Sequence, residues 1–180
     1  MASKGESVLD ARDIAESIRR ISDEILSRGR CGDIAIIGIK ARGEILARRI
    51  ADHLGEVCHE DIPVGALDIT LYRDDLGGGR GNPEVRGTEI DFDVNGKDIV
   101  LVDDVLYTGR TVRAALDQII DFGRPKRIQL AVLIDRGHRE FPIAADYVGK
   151  SLEVSPLRII EVHLKEMDGE DEVVIKSSSR

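Results

Sequence analysis

Asp98-Ile-Val-Leu-Val-Asp-Asp-Val-Leu-Tyr-Thr-Gly-Arg-Thr111 decides the fold. Residues 98–103 form a short, nearly continuous apolar run, which reads as a strand buried on both faces. A Thr/Gly loop follows. Residues 110–122 then place Val112, Leu116, Ile119 and Ile120 at helical spacing, and Gly123 and Pro125 stop that helix. The same alternation runs in both directions. Downstream, residues 127–134 are a further buried strand. Upstream, residues 33–39 are another, followed by a helix with Ile45, Leu46, Arg49, Ile50 and Leu54 at helical spacing and Gly55 as its end. Residues 10–29 carry Ile14, Ile18, Ile21 and Ile25 on one helical stripe, with Asp10 as N-cap and Gly29 as stop. Alternating helices and apolar strands predict an α/β fold, a parallel central sheet flanked by helices on both faces with right-handed crossovers. Ligands of such sheets bind beyond the carboxyl ends of the strands.

The chain has 180 residues, enough for one domain. Residues 62–72 read as a strand. From Arg73 to Gly87 the sequence turns to Asp, Gly, Asn and Pro and reads as a long loop, either a lid or a disordered segment. The tail from Met167 is acidic, then polar; residues 172–175 add an edge strand, and the segment from Ser151 onward receives no function. Net charge is −8, with no Trp and three each of Phe and Tyr, which excludes a wholly basic surface and a row of stacking aromatics for single-stranded nucleic acid. Cys31 and Cys58 read as two small, buried or half-buried thiols rather than a redox or metal pair. No apolar h-region or membrane-length run is present, so a soluble, cytoplasmic protein is expected.

The chemistry follows the strands. Asp103 and Asp104 close one strand, and Val105, Leu106, Tyr107, Thr108, Gly109, Arg110 and Thr111 lead into a helix N-terminus. Backbone amides and the positive helix end suit a phosphate monoester, with Thr108 and Thr111 as further donors. The acids repel phosphate but accept hydrogen bonds from a diol or influence a nearby Mg²⁺. A ribose 5-phosphate satisfies both halves. After the preceding strand, Lys40, Ala41, Arg42 and Gly43 open a helix with two cations that oppose its dipole, a conflict that a bound pyrophosphate relieves.

The stretch Ile99–Thr111 resembles the phosphoribosyl-pyrophosphate (PRPP) signature of type I phosphoribosyltransferases. Gly38–Gly43, Asp68–Asp75 and Asp135–Pro142 are similar, in the same order, to the bifunctional pyrimidine operon attenuator/uracil phosphoribosyltransferase family. The resemblance implies a type I phosphoribosyltransferase fold with a small hood over the strand ends, and transfer from PRPP to uracil giving UMP and diphosphate. It implies Mg²⁺ arriving with PRPP rather than a permanent metal site. Arg42, Asp103, Asp104 and Arg73 are the expected catalytic residues, and Lys40 to Gly43 the pyrophosphate loop. The stretch from Tyr72 folds over PRPP, bringing Arg73 or Arg86 toward the leaving group, while Arg136 and His138 lie toward the base. Phe141 departs from the aliphatic residue usual in the family and bears on base preference.

The same resemblance implies UMP- or UTP-dependent binding of pyrimidine-operon leader RNA, and a homodimer or higher homo-oligomer. Arg19, Arg20, Arg28, Arg139 and Lys150 are the candidate RNA contacts. Residues 1–30 hold six cations and six anions, Asp23 among them, so an ordinary solvated helix face is the competing reading. Two further readings stay open: an RNA-binding attenuator with little enzyme activity, and a phosphoribosyltransferase for another nucleobase.

Overall fold

A computed structural model of the protein describes residues 5–70 and 87–178. In chain order the elements are β1 (Glu6–Leu9), α1 (Ala11–Arg28), β2 (Ile34–Ile39), α2 (Arg42–Cys58), β3 (Val64–Leu67), β4 (Asp98–Leu106), α3 (Arg110–Phe122), β5 (Arg127–Asp135), β6 (Tyr147–Ser151), β7 (Arg158–His163), α4 (Lys165–Asp168) and β8 (Glu172–Ser177). The expected loop from Arg73, with Tyr72, Arg80 and Arg86, lies outside the described residues up to position 86.

The main sheet is fully parallel with strand order β3-β2-β4-β5-β6. Its central strands β2 and β4 are almost wholly buried because helices cover both sides. Along β2, Ile34 and Ile36 enter a core shared with α1 and α2, while Ala35, Ile37 and Ile39 enter the core under α3. Val100 and Val102 of β4 alternate in the same way with Ile99 and Leu101. On α1 the buried stripe is the expected Ile14, Ile18, Ile21 and Ile25, each side chain worth roughly 1.5–3 kcal/mol relative to exposure. Asp10 caps the helix, accepting from the amides of Arg12 and Asp13 at 2.8 and 2.9 Å while Asp13 accepts from the Asp10 amide at 3.0 Å.

The strand order sets the location of a ligand site. From β2 the chain turns outward to β3, and from β4 it turns the other way to β5. The carboxyl ends of β2 and β4 therefore flank the crevice where the winding reverses. There α2 starts close against β4: a Cβ on Gly43 would stand 2.5 Å from the Val102 carbonyl oxygen, so only glycine fits.

Several expectations change. α2 continues past Gly55 to Cys58, because Leu54 and Ala51 stay buried on the sheet and one helical glycine costs only about 1 kcal/mol. β3 is shorter than the expected strand at 62–72, and β4 runs three residues further, so Asp103 and Asp104 belong to the strand end itself. The segment 172–175 is not an edge strand: β8 is the middle strand of a separate antiparallel sheet, β1-β8-β7. That sheet and α4 form the hood. Cys31 and Cys58 are not thiols but a disulfide, with Cα atoms 5.9 Å apart. The β2–α2 hairpin-like return brings the start of β2 and the end of α2 together. Closing that loop restricts the unfolded chain by about 3–4 kcal/mol in the chain-entropy picture.

Candidate active site

The carboxyl end of β4 and the start of α3 line a cavity of about 270 Å³, formed by Asp103 and the run from Val105 to Val112. Gly109 takes a left-handed conformation (φ 89°) and begins α3 with no side-chain cap and no acid in the first turn. The Arg110 amide donates to Thr108 Oγ1 at 3.3 Å; the amides that follow it and the helix dipole favour an anion. Asp103 is buried and accepts from the Asp104 amide at 2.9 Å; Asp104 is half-buried and accepts from the Val105 amide at 2.8 Å. Acidic acceptors and the start of α3 therefore lie side by side at the end of β4. A larger hollow, about 860 Å³, lies at the far end of α2 among Asp52, Glu56, Glu60 and Asp61; its acidic lining is unsuited to phosphate.

Across the crevice, the Lys40–Ala41 peptide is cis and opens into α2. Lys40 Nζ donates to the Gly87 carbonyl at 2.7 Å and pairs with Glu89 at 3.3 Å. Arg42 Nη2 donates to both oxygens of Asp168 at 3.0 and 3.3 Å, and its Nε is buried without a partner. Lys40, Ala41, Arg42 and Gly43 thus follow the end of β2, with Gly43 against Val102 and Asp103 of β4. Arg73 and Arg86 lie outside the described residues.

The stretch after β5 meets the phosphate-type loop in a way the sequence did not suggest. Arg136 is buried; its guanidinium lies 4.1 Å from the Tyr107 ring centre and donates to the carbonyls of Ser155 and Arg158. It braces the loop against the hood rather than presenting itself to a base. His138 is left-handed (φ 59°), its Nε2 lies 2.9 Å from the Val154 carbonyl, and its ring meets Tyr107 edge-on. The amides of Glu140 and Phe141 donate to the Thr108 carbonyl at 2.9 and 3.1 Å. Arg110 turns outward, pairing with Glu140 at 2.5 Å and lying over the Phe141 ring. Phe141 therefore packs on Arg110, beside Gly109.

Three candidate RNA contacts share the β6 edge. Arg20 donates to the carbonyls of Val148 and Gly149, Arg28 lies 5.0 Å from the Tyr147 ring centre, and Lys150 donates to the Val8 carbonyl. Arg19 is exposed on α1. Arg139 is elsewhere, held by Asp135 at 2.6 Å and donating to the carbonyls of Tyr107 and Ile143. Asp23 pairs with His53 at 3.4 Å.

Sequence reasoning missed the hood's acids. Arg49 of α2 is held by Glu166 and Asp171 at 2.5 and 2.8 Å, and Arg42 by Asp168. The carboxyl of Asp168 is held below the usual carboxylate range chiefly by the Leu164 amide, then by Arg42. An acidic tail carries no signal in one sequence that its partners lie on a helix more than a hundred residues earlier. Among the described residues the close group of potential metal ligands is Cys31, Cys58 and Glu60, with both sulfurs in the disulfide, and no helix is long and apolar enough to cross a membrane.

Comparison with known proteins agrees with this geometry. Residues 4–167 match the phosphoribosyl transferase domain family. The bifunctional protein PyrR of Pelotomaculum thermopropionicum is 54% identical over 176 residues, 97% of each chain. That of Clostridioides difficile is 55% identical over 170 residues, 94% of this chain and 96% of the relative. The hypoxanthine phosphoribosyltransferase of Trypanosoma cruzi superposes with a TM-score of 0.69 at 16% identity, covering 98% of this chain and 97% of that one, a likeness of fold. With a parallel sheet, a hood and a crevice at the winding reversal already in place, the chain belongs to the phosphoribosyl transferase family and, within it, to the bifunctional PyrR proteins.

Proposed function

We propose that the protein transfers the phosphoribosyl group of Mg²⁺-bound PRPP to uracil, giving UMP and diphosphate, and binds pyrimidine-operon leader RNA when UMP or UTP occupies the same site. One observation carries the enzymatic half. The adjacent strands β2 and β4 carry the Lys40–Gly43 turn and the Asp103–Asp104 pair at their carboxyl ends, and a cavity runs from Asp103 along the loop to the start of α3. In the reaction the bond from ribose C1 to the diphosphate oxygen breaks, the bond from C1 to uracil N1 forms, and the N1 proton leaves to solvent. Charge develops as a cationic sugar and an anionic diphosphate, as in glycoside transfer. Arg42, Lys40 and an arginine from the 73–86 stretch neutralise the diphosphate together with the substrate's Mg²⁺. Asp103 and Asp104 hold the ribose hydroxyls and place negative charge beside C1. The loop from Val105 to Thr111 fixes the 5-phosphate, chiefly through amides at the start of α3. Preorganised contacts of this type are worth about 2.7–4 kcal/mol each.

Arg136 and His138 act here as braces of the Tyr107 loop, with His138 nearest the base side. The regulatory half rests on kinship with the PyrR proteins and on the Arg20, Arg28 and Lys150 edge. A cytoplasmic homo-oligomer belongs to the same reading. Conversion of radiolabelled uracil to UMP tests the enzyme. Filter binding of a leader hairpin across a salt series, with and without UMP, tests the regulator, because phosphate contacts weaken steeply with salt. Conversion without RNA affinity removes the second half alone.

A further inference from the structure

The hood is built so that its tightest turn meets the first residue of α2. In the four-residue helix α4, the Asp168 carboxylate accepts from the Leu164 amide at 2.8 Å, which fixes its direction from within the hood. Both of its oxygens then accept from Arg42 Nη2, at 3.0 and 3.3 Å. The pair is largely shielded, with the two side chains 33% and 21% exposed. Arg42 Nε is buried and makes no hydrogen bond. The guanidinium is therefore anchored through one nitrogen, and a donor close to the α2 N-terminus stays uncommitted. His163 Nδ1 lies 4.0 Å from Asp168 Oδ1.

An arginine has a long, flexible stem, and holding it in one rotamer before a ligand arrives removes ordering that binding would otherwise have to supply. We infer that Asp168 is a positioning residue for the transfer reaction: it orients the Arg42 guanidinium toward the diphosphate of PRPP. The inference rests on the reading of residues 40–43 as the pyrophosphate turn. It also assigns work to the C-terminal segment, since Asp168 reaches Arg42 only because β7 and β8 carry α4 over α2. Like-charge repulsion between Asp168 and the diphosphate acts against this effect. It is the smaller term, because the guanidinium stands between them and both groups are partly solvated.

A neighbouring pair supplies the control. Arg49 lies two turns further along α2 and binds Glu166 and Asp171 of the same hood segment, away from the crevice. Steady-state kinetics and inhibition by inorganic pyrophosphate are measured on the full chain for Arg42→Ala, Asp168→Asn, Asp168→Glu, Asp171→Asn and the Arg42→Ala/Asp168→Asn double variant. Asp168→Asn is expected to raise KM for PRPP and the pyrophosphate inhibition constant about five- to tenfold, with kcat within about twofold. Asp168→Glu restores part of the loss. Asp171→Asn lowers thermal stability and leaves KM unchanged. In the Arg42→Ala background Asp168→Asn adds nothing. If Arg42→Ala leaves pyrophosphate inhibition intact, the pyrophosphate-turn reading itself is wrong. If Arg42→Ala abolishes it but Asp168→Asn does not move KM, or moves it equally with and without Arg42, the positioning role is overturned.

Discussion

The two ends of α2 are held by opposite means. At the C-terminal end a disulfide ties Cys58 to Cys31, and His59 turns the chain in a left-handed conformation (φ 56°). At the N-terminal end the helix rests on a glycine-tight approach to β4 and on polar contacts, chiefly Arg42 with Asp168. The end far from the crevice is fixed covalently. The end that faces it is fixed by charges that a polyanionic ligand can share. The lesson is that stability and ligand response are supplied by different parts of one helix, so they should be separable by mutation.

The sharpest way to break that comparison is at the working end. Arg42→Ala, or Asp104→Asn across the crevice, is expected to lower turnover about a hundredfold while circular dichroism and melting stay near wild type. Cys58→Ser acts at the other end: the melting temperature should fall by about 10 °C, the consequence of losing a loop closure of this length, while KM for PRPP at 25 °C is unchanged. A PRPP affinity that falls with the disulfide would show that the two ends are coupled. Asp168→Asn, smaller again, should move KM without moving kcat.

The weakest expected effect is acid sensitivity. Glu166, Asp168 and Asp171 are all held below their ordinary carboxylate values. The Arg49 hydrogen bond lowers Glu166 and the Leu164 amide lowers Asp168; for Asp171 burial opposes the shift and the Arg49 and Lys165 contacts outweigh it. Carboxyls with lowered folded-state values contribute stability that is fully present above their unfolded values, near pH 4, and lost as pH falls through the folded ones. Asp171→Asn removes one such group. Its cost, roughly 1–3 kcal/mol at pH 7, should shrink progressively as urea unfolding is repeated at falling pH below about 4.

The core of the fold was readable because the buried strands are apolar runs and α1 and α3 keep strict helical spacing. Asp10 and Gly29 end α1 where their chemistry says they should. The acid pair and the Thr/Gly loop also lie where expected, at a strand end opening into a helix. What could not be read depends on long-range pairing. β1 and β7 are short and half-exposed and gain strand character only from β8, whose own strand was legible at 172–175 but whose central place between them was not. Cys31 and Cys58 are 27 residues apart, and only the return of α2 along β2 shows that they meet. Arg136 looks like a solvent-facing cation among Asp135, His138 and Arg139, yet the hood closes over it and Tyr107 stacks beneath it. Asp168 sits in an acidic tail whose composition names no partner.

Conversion of labelled uracil to UMP in the presence of Mg²⁺ and PRPP, run side by side on the intact protein and Asp104→Asn, tests the central claim most directly. The account predicts UMP and equimolar diphosphate from the intact protein, and roughly hundredfold slower formation from a folded Asp104→Asn. Equal rates in the two, or no UMP from an intact protein that also shows no heat of PRPP binding, would contradict it.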